Sequence, residues 1–569
     1  MASFLRVGLP LVSLLSCAIA GNVPPSPGDC PLHGPIFPVA QQLPNDPAFV
    51  EASKNISASL KQTLDSKLSV SVQIFDIQHT DPLFEHTSTS KHINTTLGVD
   101  KVDENTIFRI GSVSKLWTTL ALLVERGIRP FSDPIVEYVP ELLPACIAMK
   151  MNKTQSEDYI DWVPWCDLTV GDLASHLAGI ARDYGFSDMS AQGPQLQQAG
   201  FPPLSPVEIP PCGTAAPCDR SQFFHGIMNS HPVVPTSSTP VYSNAGYQII
   251  GYALEAMTGQ RYNATIRKNL VERLGLRNTY VDTPDAKRGV IPDYMGEFYW
   301  NFQTGDEAPA ASIYASTADV VNVGRAILNS TLLSPVTTRR WLQPASFTSD
   351  SGYGVGAPWE IVPLQSSRTV HFYTKSGDIG VYSAILALLP DHGVGFTVLA
   401  AGNDTHTTVA SVADLISTTL LPALDESAKG EAKKRFDGTY HADQGLNSSV
   451  TITTDKGPGL AVTNWISNST NMFESLASMQ GLDPSKLSIR LYPTGLESPG
   501  QIAFRALIQQ ISPSDAKGRP FTAFCPTWML LGTQIYGNIA VDEFVFALDA
   551  KGNAKSVSPR ALRVSLPKT

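Results

Sequence analysis

Ser112 and Lys115 stand three residues apart in Phe108-Arg109-Ile110-Gly111-Ser112-Val113-Ser114-Lys115, which runs directly into an apolar stretch from Leu116 to Val124. Leu116, Leu120 and Leu123 recur at helical spacing, and Gly127 stands where such a helix would stop. This predicts Ser112 in the first turn, with Lys115 on the same face and Cβ atoms about 5–6 Å apart. A serine hydroxyl attacks at neutral pH only if a neighbour takes its proton, and a lysine does so only if burial or nearby cations lower its pKa. The pair therefore reads as a nucleophile and its general base. The helix N-terminus would place partial positive charge where an oxyanion develops. Ser88 with Lys91, and Ser514 with Lys517, repeat the spacing but open no apolar helix.

Two more groups could serve the same chemistry. Tyr242-Ser243-Asn244 lies in the turn entering a second predicted helix, whose apolar positions are Ile250, Leu254 and Met257 and whose end is Gly259. Lys375-Ser376-Gly377-Asp378 follows a β-like segment, and a glycine there would let a substrate backbone come close. His176 reads as structural, because no carboxylate or second histidine accompanies it at a metal-binding or catalytic spacing.

The elements that must hold these residues form an alternating pattern. Phe49 to Leu68 reads as a surface helix, and Val70, Val72 and Ile74 as one face of a half-buried strand. Thr169 with Asp172 forms a capping-box-like start for a helix carrying His176. Residues 185–240 are rich in Pro, Ser, Thr and Gly and read as an insertion or lid. Tyr382 to Leu389, Asp391-His392-Gly393 and Val394 to Ala401 read as an antiparallel hairpin. Val409 to Leu421 reads as a closing helix and residues 425–435 as a charged linker. Beyond it, Leu487 to Leu491, Ile502 to Ile508 and Phe544 to Leu548 read as strands of a separate barrel or sandwich.

At 569 residues and 43% hydrophobic content, the chain can build two or more cored domains. Its formal net charge of −10 argues against nucleic acid or an anionic membrane as partner. Arg6, an apolar run from Val7 to Ile19 and Ala18-Ile19-Ala20 read as a signal peptide over residues 1–20, cleaved near Ala20. Secretion then makes disulfides the default for Cys30, Cys146, Cys166, Cys212, Cys218 and Cys525. Six cysteines allow 15 pairings. Short separation suggests Cys146 with Cys166 and Cys212 with Cys218, which leaves Cys30 for Cys525. Sequons at Asn55, Asn94, Asn152, Asn263, Asn329, Asn403, Asn447 and Asn468 fit a secreted glycoprotein.

Ser112-x-x-Lys115, Tyr242-x-Asn244 and Lys375-Ser376-Gly377, in that order, resemble the serine β-lactamase and penicillin-binding superfamily, and most closely its class C β-lactamase, esterase and D-peptidase branch. The resemblance spans about Ser69 to Leu421 and includes Ser132-Asp133-Pro134, Ser316-Thr317-Ala318-Asp319 and Gly352-Tyr353-Gly354-Val355-Gly356. Arg435 to Tyr440 resembles the start of the lipocalin-like domain that some members append, and the whole is similar to secreted fungal β-lactamase-like proteins.

The resemblance implies an α+β fold: an α/β/α sandwich with an antiparallel central sheet and a helical subdomain over residues 21–424, then a C-terminal all-β domain over 436–569. It implies an acyl-enzyme on Ser112, proton transfer by Lys115 and Tyr242, and substrate held by Asn244 and by Lys375, Ser376 and Gly377. The backbone N–H groups of Ser112 and Asp378 would form the oxyanion hole. No cofactor or metal is expected, and the partner is a small ester or amide. Asp378 departs from the small uncharged residue found in many relatives. If it faces the cleft it repels the carboxylate of a β-lactam; if it points inward it pairs with a cation. A catalytically silent binding protein on the same fold is the rival reading.

Overall fold

The computed structural model describes residues 28–64, 66–151, 158–186, 188–366, 368–443, 445–511 and 524–569. The expected signal peptide and the Asn152 sequon lie outside them. The chain divides into two compact units. One holds Ser53–Leu364 and His371–Thr419; the other holds the chain up to Ala52, Gln365–Val370 and Leu420–Thr569.

The first unit is built on an eight-stranded sheet of β1 (Ser69–Asp76), β2 (Phe84–Ser88), β3 (Ser346–Phe347), β4 (Gly354–Val355), β5 (Glu360–Gln365), β6 (Thr369–Ile379), β7 (Tyr382–Leu389) and β8 (Val394–Ala401). Its spatial order is β2-β1-β8-β7-β6-β5-β4-β3. The predicted hairpin is present: β7 and β8 pair antiparallel from Tyr382 opposite Ala401 to Leu389 opposite Val394. Strand β1 differs from the half-buried reading, since all eight of its residues are buried. It lies between β2 and β8, and its polar side chains are satisfied inside: Thr317 donates to Ser71 Oγ at 2.7 Å and Gln73 donates to Glu85 at 2.5 Å. Sequence alternation reports polarity, and polarity reports exposure only where no partner is supplied.

Helix α1 (Ser114–Arg126) is buried from Ser114 through Leu123 and stops at Gly127, whose φ of 69° suits glycine. Ser112 sits just before it, in a 3₁₀ turn over Gly111–Val113. Helix α2 (Asn244–Thr258) is capped by Ser243, whose Oγ accepts from the Gly246 N–H at 2.9 Å, and ends at Gly259 in the left-handed region. The Thr169–Asp172 capping box is present, but its helix covers only Val170–Ala174. His176 lies beyond it at φ 62°, because the Ser175 hydroxyl and the Leu177 N–H fold the chain back onto Gly171 and Asp172.

Within 185–240, Arg220–Ile227 is a helix with Phe223, Phe224 and Ile227 in the core, so that part is scaffold rather than cover. Residues 425–435 also differ from the linker reading: they are the last part of α3 (Thr405–Phe436). Val409, Val412, Ile416, Leu420, Leu424, Ala428, Ala432 and Phe436 are buried along one stripe at intervals of three or four, and the Ala, Glu and Lys between them are good helix formers. By length and composition alone α3 could also cross a membrane. The stripe is what a helix packed onto a protein core shows.

The second unit contains a nine-stranded antiparallel sheet from Gly438–His441 to Leu566–Pro567, including the predicted strands as Leu487–Ser498, Gln501–Gln510 and Glu543–Leu548. Tyr440 bridges to Lys568, and the Thr569 N–H donates to Thr439 O at 3.0 Å, so first and last strands meet and the sheet closes as a barrel. Phe436, Tyr440, Phe504 and Phe546 pack together inside it. The N-terminal stretch joins this unit rather than the sheet of the first. Gln509 exchanges two hydrogen bonds with the Cys30 backbone, Glu431 accepts from the Gln41 and Gln42 N–H groups, and Ser427 donates to Asp46.

All three suggested disulfides are present: Cys30–Cys525, Cys146–Cys166 and Cys212–Cys218. The last two span sequence separations of 20 and 6. Chain-entropy loss in the unfolded state then predicts that replacing Cys146 and Cys166 by Ser lowers stability by about 3 kcal/mol, and replacing Cys212 and Cys218 by about 2 kcal/mol. Urea unfolding of the two double variants checks the size and the order.

Candidate functional site

The turn bearing Ser112 is clamped on two sides. Ile110 N–H donates to Ile313 O at 3.1 Å, and Ser114 Oγ donates to Gly111 O at 2.6 Å while accepting from Ile313 N–H at 3.0 Å. Strand β6 passes over the same turn at very short range. A Cβ on Gly377 would fall 2.2 Å from Ile110 O and 2.5 Å from Ser112 N, and one on Gly111 would fall 2.5 Å from Asp378 N. Neither position has room for a side chain, so the backbone amides of Ser112 and Asp378 are brought close by two glycines.

Lys115 is fully buried, and its Nζ lies 2.9 Å from Ser112 Oγ, 2.7 Å from Asn244 Oδ1 and 3.0 Å from Ala310 O. The last two oxygens can only accept, so they take two N–H bonds in either charge state. The third direction faces Ser112 Oγ, which accepts from an ammonium or donates to an amine. Proton exchange between Ser112 and Lys115 therefore needs only a shift along one existing contact. Burial lowers the Lys115 pKa and the nearby Lys375 adds to this, while Tyr242 and Glu307 oppose it; the net direction is down.

Tyr242 stands between the two lysines: Lys115 Nζ is 4.8 Å and Lys375 Nζ 5.2 Å from its ring centre, with the Arg182 guanidinium at 4.9 Å. Burial alone would raise its pKa, but the charges of Lys115 and Lys375 and contacts from Lys115 and Ser112 outweigh that, and the net shift is downward. Lys375 moves the other way. Burial acts to lower it, and Glu360, which accepts a hydrogen bond from its ammonium, together with Tyr242, raises it overall. Glu360 also accepts from the Ser376 N–H at 2.8 Å and Ser376 Oγ at 2.9 Å. The site thus holds a lysine eased toward its neutral form and a second lysine held as a cation.

The structure brings together Ser112, Lys115, Tyr242, Asn244 and Lys375, with Ser376, Gly377 and Asp378 following on β6. His176 is part of the same assembly. Its ring stacks on Tyr242 at 4.3 Å and its Nδ1 accepts from the Ser243 N–H at 3.1 Å. Burial and the cations Lys115, Lys375 and Arg182 push its pKa well below the usual value, so it is a neutral platform. Asp378 lies on the open face with Ser376 and is about half exposed; it accepts from Ser383 Oγ at 2.6 Å and pairs with His406 Nδ1 at 3.1 Å. It therefore does not point inward: it is at the surface, with a serine and a histidine beside it.

Sequence reasoning missed Glu360, Arg182, Asp183, Glu307 and His406. Only Glu360 left a signal, an acidic residue on the strand preceding that of Lys375. The others come from loops and helix ends with no local motif.

An antiparallel sheet flanked by helices, with Ser-x-x-Lys before a buried helix and a second lysine on a strand, defines a serine β-lactamase-like class. The chain belongs to the β-lactamase family, which matches residues 60–420, and a "Beta-lactamase-like-like, C-terminal domain" matches residues 428–569. A beta-lactamase-like protein from Arthroderma benhamiae is 27% identical, with 96% of each chain covered. A probable hydrolase from a Phoma species is 27% identical over 79% of this chain and 75% of that protein. A class C beta lactamase from Rhodobacter sphaeroides aligns at 18% identity and a TM-score of 0.44, covering 65% of this chain and 99% of that one.

The environment of Tyr242 makes a measurable claim. In protein carrying ¹³C-labelled tyrosine, the ring signal lost in Tyr242→Phe is expected to titrate below the ordinary value of about 10. Removing a cation removes stabilisation of the phenolate, so in Lys375→Ala the same signal should titrate at higher pH. An unchanged midpoint would show that Lys375 does not act on Tyr242.

Proposed function

We propose that this β-lactamase-like hydrolase works through an acyl-enzyme on Ser112, cleaving or transferring the acyl group of small esters or amides, with no metal or cofactor. The observation that carries this reading is the 2.9 Å contact between Ser112 Oγ and a buried Lys115 whose pKa is lowered. Lys115 takes the serine proton as the hydroxyl adds to the carbonyl carbon. The oxyanion is met by the backbone N–H groups of Ser112 and Asp378, each such donor typically worth on the order of 10²–10³ in rate. Tyr242, with its pKa also lowered, passes the proton to the departing oxygen or nitrogen, and water or an acceptor alcohol then releases the acyl group. Asn244 and Lys375 hold the substrate. Three disulfides and seven described sequons, six of them at exposed asparagines, support a secreted glycoprotein.

Activity is expected to appear as pH rises through the lowered Lys115 pKa, because only the amine accepts a proton. Intact-mass measurement across a panel of esters, amides and β-lactams should find the acyl adduct on wild type and none on Ser112→Ala, and Lys115→Ala should slow acylation at least a hundredfold. Equal labelling of wild type and Ser112→Ala by a fluorophosphonate would end this reading.

Selectivity follows from charge. Asp378 sits half exposed beside the candidate oxyanion site, so an anionic β-lactam meets a like charge costing about 1 kcal/mol at ~4 Å in water and more where water is excluded. Neutral or cationic substrates are preferred, and His406 offsets the effect only when protonated. Asp378→Ser should raise the ratio of kcat/KM on a cephalosporin to that on a neutral ester by about fivefold or more. An unchanged ratio, or a wild type already faster on the cephalosporin, refutes the assignment.

A further inference from the structure

Cys212 and Cys218, six residues apart, close a short loop inside the 185–240 insertion, and that loop is wedged between two glycines. On one side it meets Gly185. A Cβ there would fall 2.8 Å from Cys218 Sγ and 2.9 Å from Cys212 O, and one on Gly213, within the loop, would fall 2.7 Å from Gly185 O. On the other side it meets Gly305, where a Cβ would fall 2.7 Å from Pro217 Cβ. Gly185 and Gly305 have φ of 80° and 57°, so both contacts depend on glycine. The loop is itself held. Gly213 N–H donates to Ala216 O at 2.8 Å, and Asp219, directly after Cys218, caps the helix Arg220–Ile227, whose Phe223 and Phe224 lie in the core.

Each glycine leads directly to the candidate site. Just before Gly185, Arg182 O accepts from the Asn244 N–H at 2.7 Å and the Ala245 N–H at 3.0 Å, and Asp183 Oδ1 accepts from Asn244 Nδ2 at 2.8 Å. Gly305 opens the turn Gly305–Glu307, which continues into Ala308–Ala311 and so to Ala310 O. Arg182 and Asp183 stand in no helix or strand, so packing from outside must hold them. We propose that the disulfide-closed loop is an outer brace for the site: it fills the space between Gly185 and Gly305 and thereby fixes the two segments that end on Asn244 and on Ala310. Cys212, Cys218 and Pro217 are then positioning residues, a role that rests on the proposed acyl-enzyme. Lys375 and β6 are held by Glu360 and the sheet instead, so opening the loop should change KM less than kcat. A misplacement of ~1 Å at a reacting contact costs up to about a hundredfold in rate.

Hydrogen exchange reads the brace without any activity. In Cys212→Ser/Cys218→Ser the Asn244 and Ala245 amides, which donate to Arg182 O, should exchange about tenfold faster relative to the Leu254 amide within α2. Cys146→Ser/Cys166→Ser is the control. That pair joins the helix Leu143–Met151 to the chain before Thr169, and its loss is expected to cost more stability, yet it should leave the exchange ratio unchanged. A ratio unchanged in Cys212→Ser/Cys218→Ser, or raised equally in the control, overturns the brace. Pro217→Gly keeps the disulfide and removes the contact to Gly305, so it decides the matter even if the double variant does not fold. There the Ser312 amide, which donates to Ala308 O at 3.1 Å, should exchange faster, and an unchanged rate overturns that half of the wedge.

The positioning role is read separately, on a neutral ester. Cys212→Ser/Cys218→Ser should lower kcat about tenfold with KM within about threefold, while the less stable Cys146→Ser/Cys166→Ser keeps kcat within about twofold. A fall in kcat that follows the order of stability, or faster local exchange with unchanged kcat, refutes the positioning role and leaves the acyl-enzyme intact. Absence of any Ser112 adduct in wild type refutes both the acyl-enzyme and the positioning role, while the exchange ratio still decides the brace.

Discussion

A single buried amine sets the terms for the first unit. Lys115 is removed from water, which penalises its charged form, yet it is given three oxygen partners that can satisfy an ammonium. These opposing effects bring the two charge states closer together than in water. A lysine so placed is costly unless the partners are held rigidly, and most of the surrounding structure does that. Helix α1 is buried for ten successive residues, α2 delivers Asn244 from its first position, and Ala308–Ala311 delivers a carbonyl.

The second lysine shows how one residue type is given a different state by its neighbours. Lys375 is as buried as Lys115 but meets a carboxylate, Glu360, where Lys115 meets only neutral oxygens. Its charge is retained and acts on Tyr242, which stands between the two amines with neutral His176 behind it. A chain of opposite preferences is thus packed into one small volume, and the cost of burying each charge is reduced by the next.

Close backbone approach is the other constraint. Gly111 and Gly377 let the Ser112 turn and β6 come within a distance that no Cβ allows, so the two candidate oxyanion donors are positioned by main-chain packing rather than by side chains. The hairpin of β7 and β8 with β1 beside it holds β6 in the sheet, which places a site made of loops and helix starts on a rigid base. The barrel of the second unit has its own aromatic core around Phe436, Phe504 and Phe546.

By itself the sequence determined the parts whose cause is local. Helical spacing after Ser112, the entry into α2 at Tyr242-Ser243-Asn244, the Asp391-His392-Gly393 turn and the short separations of two cysteine pairs each act within a few residues, and each is found in the structure. Where a local reading failed, a distant partner had intervened. Strand β1 is polar on one face yet buried on both, and residues 425–435 are charged yet helical because a buried stripe runs through them. Only the tertiary structure decided which groups stand around the two lysines and Asp378. Asp183, Glu307 and His406 carry no motif, because a carboxylate or imidazole acts through space on whatever the fold brings near it, and sequence distance holds no record of that.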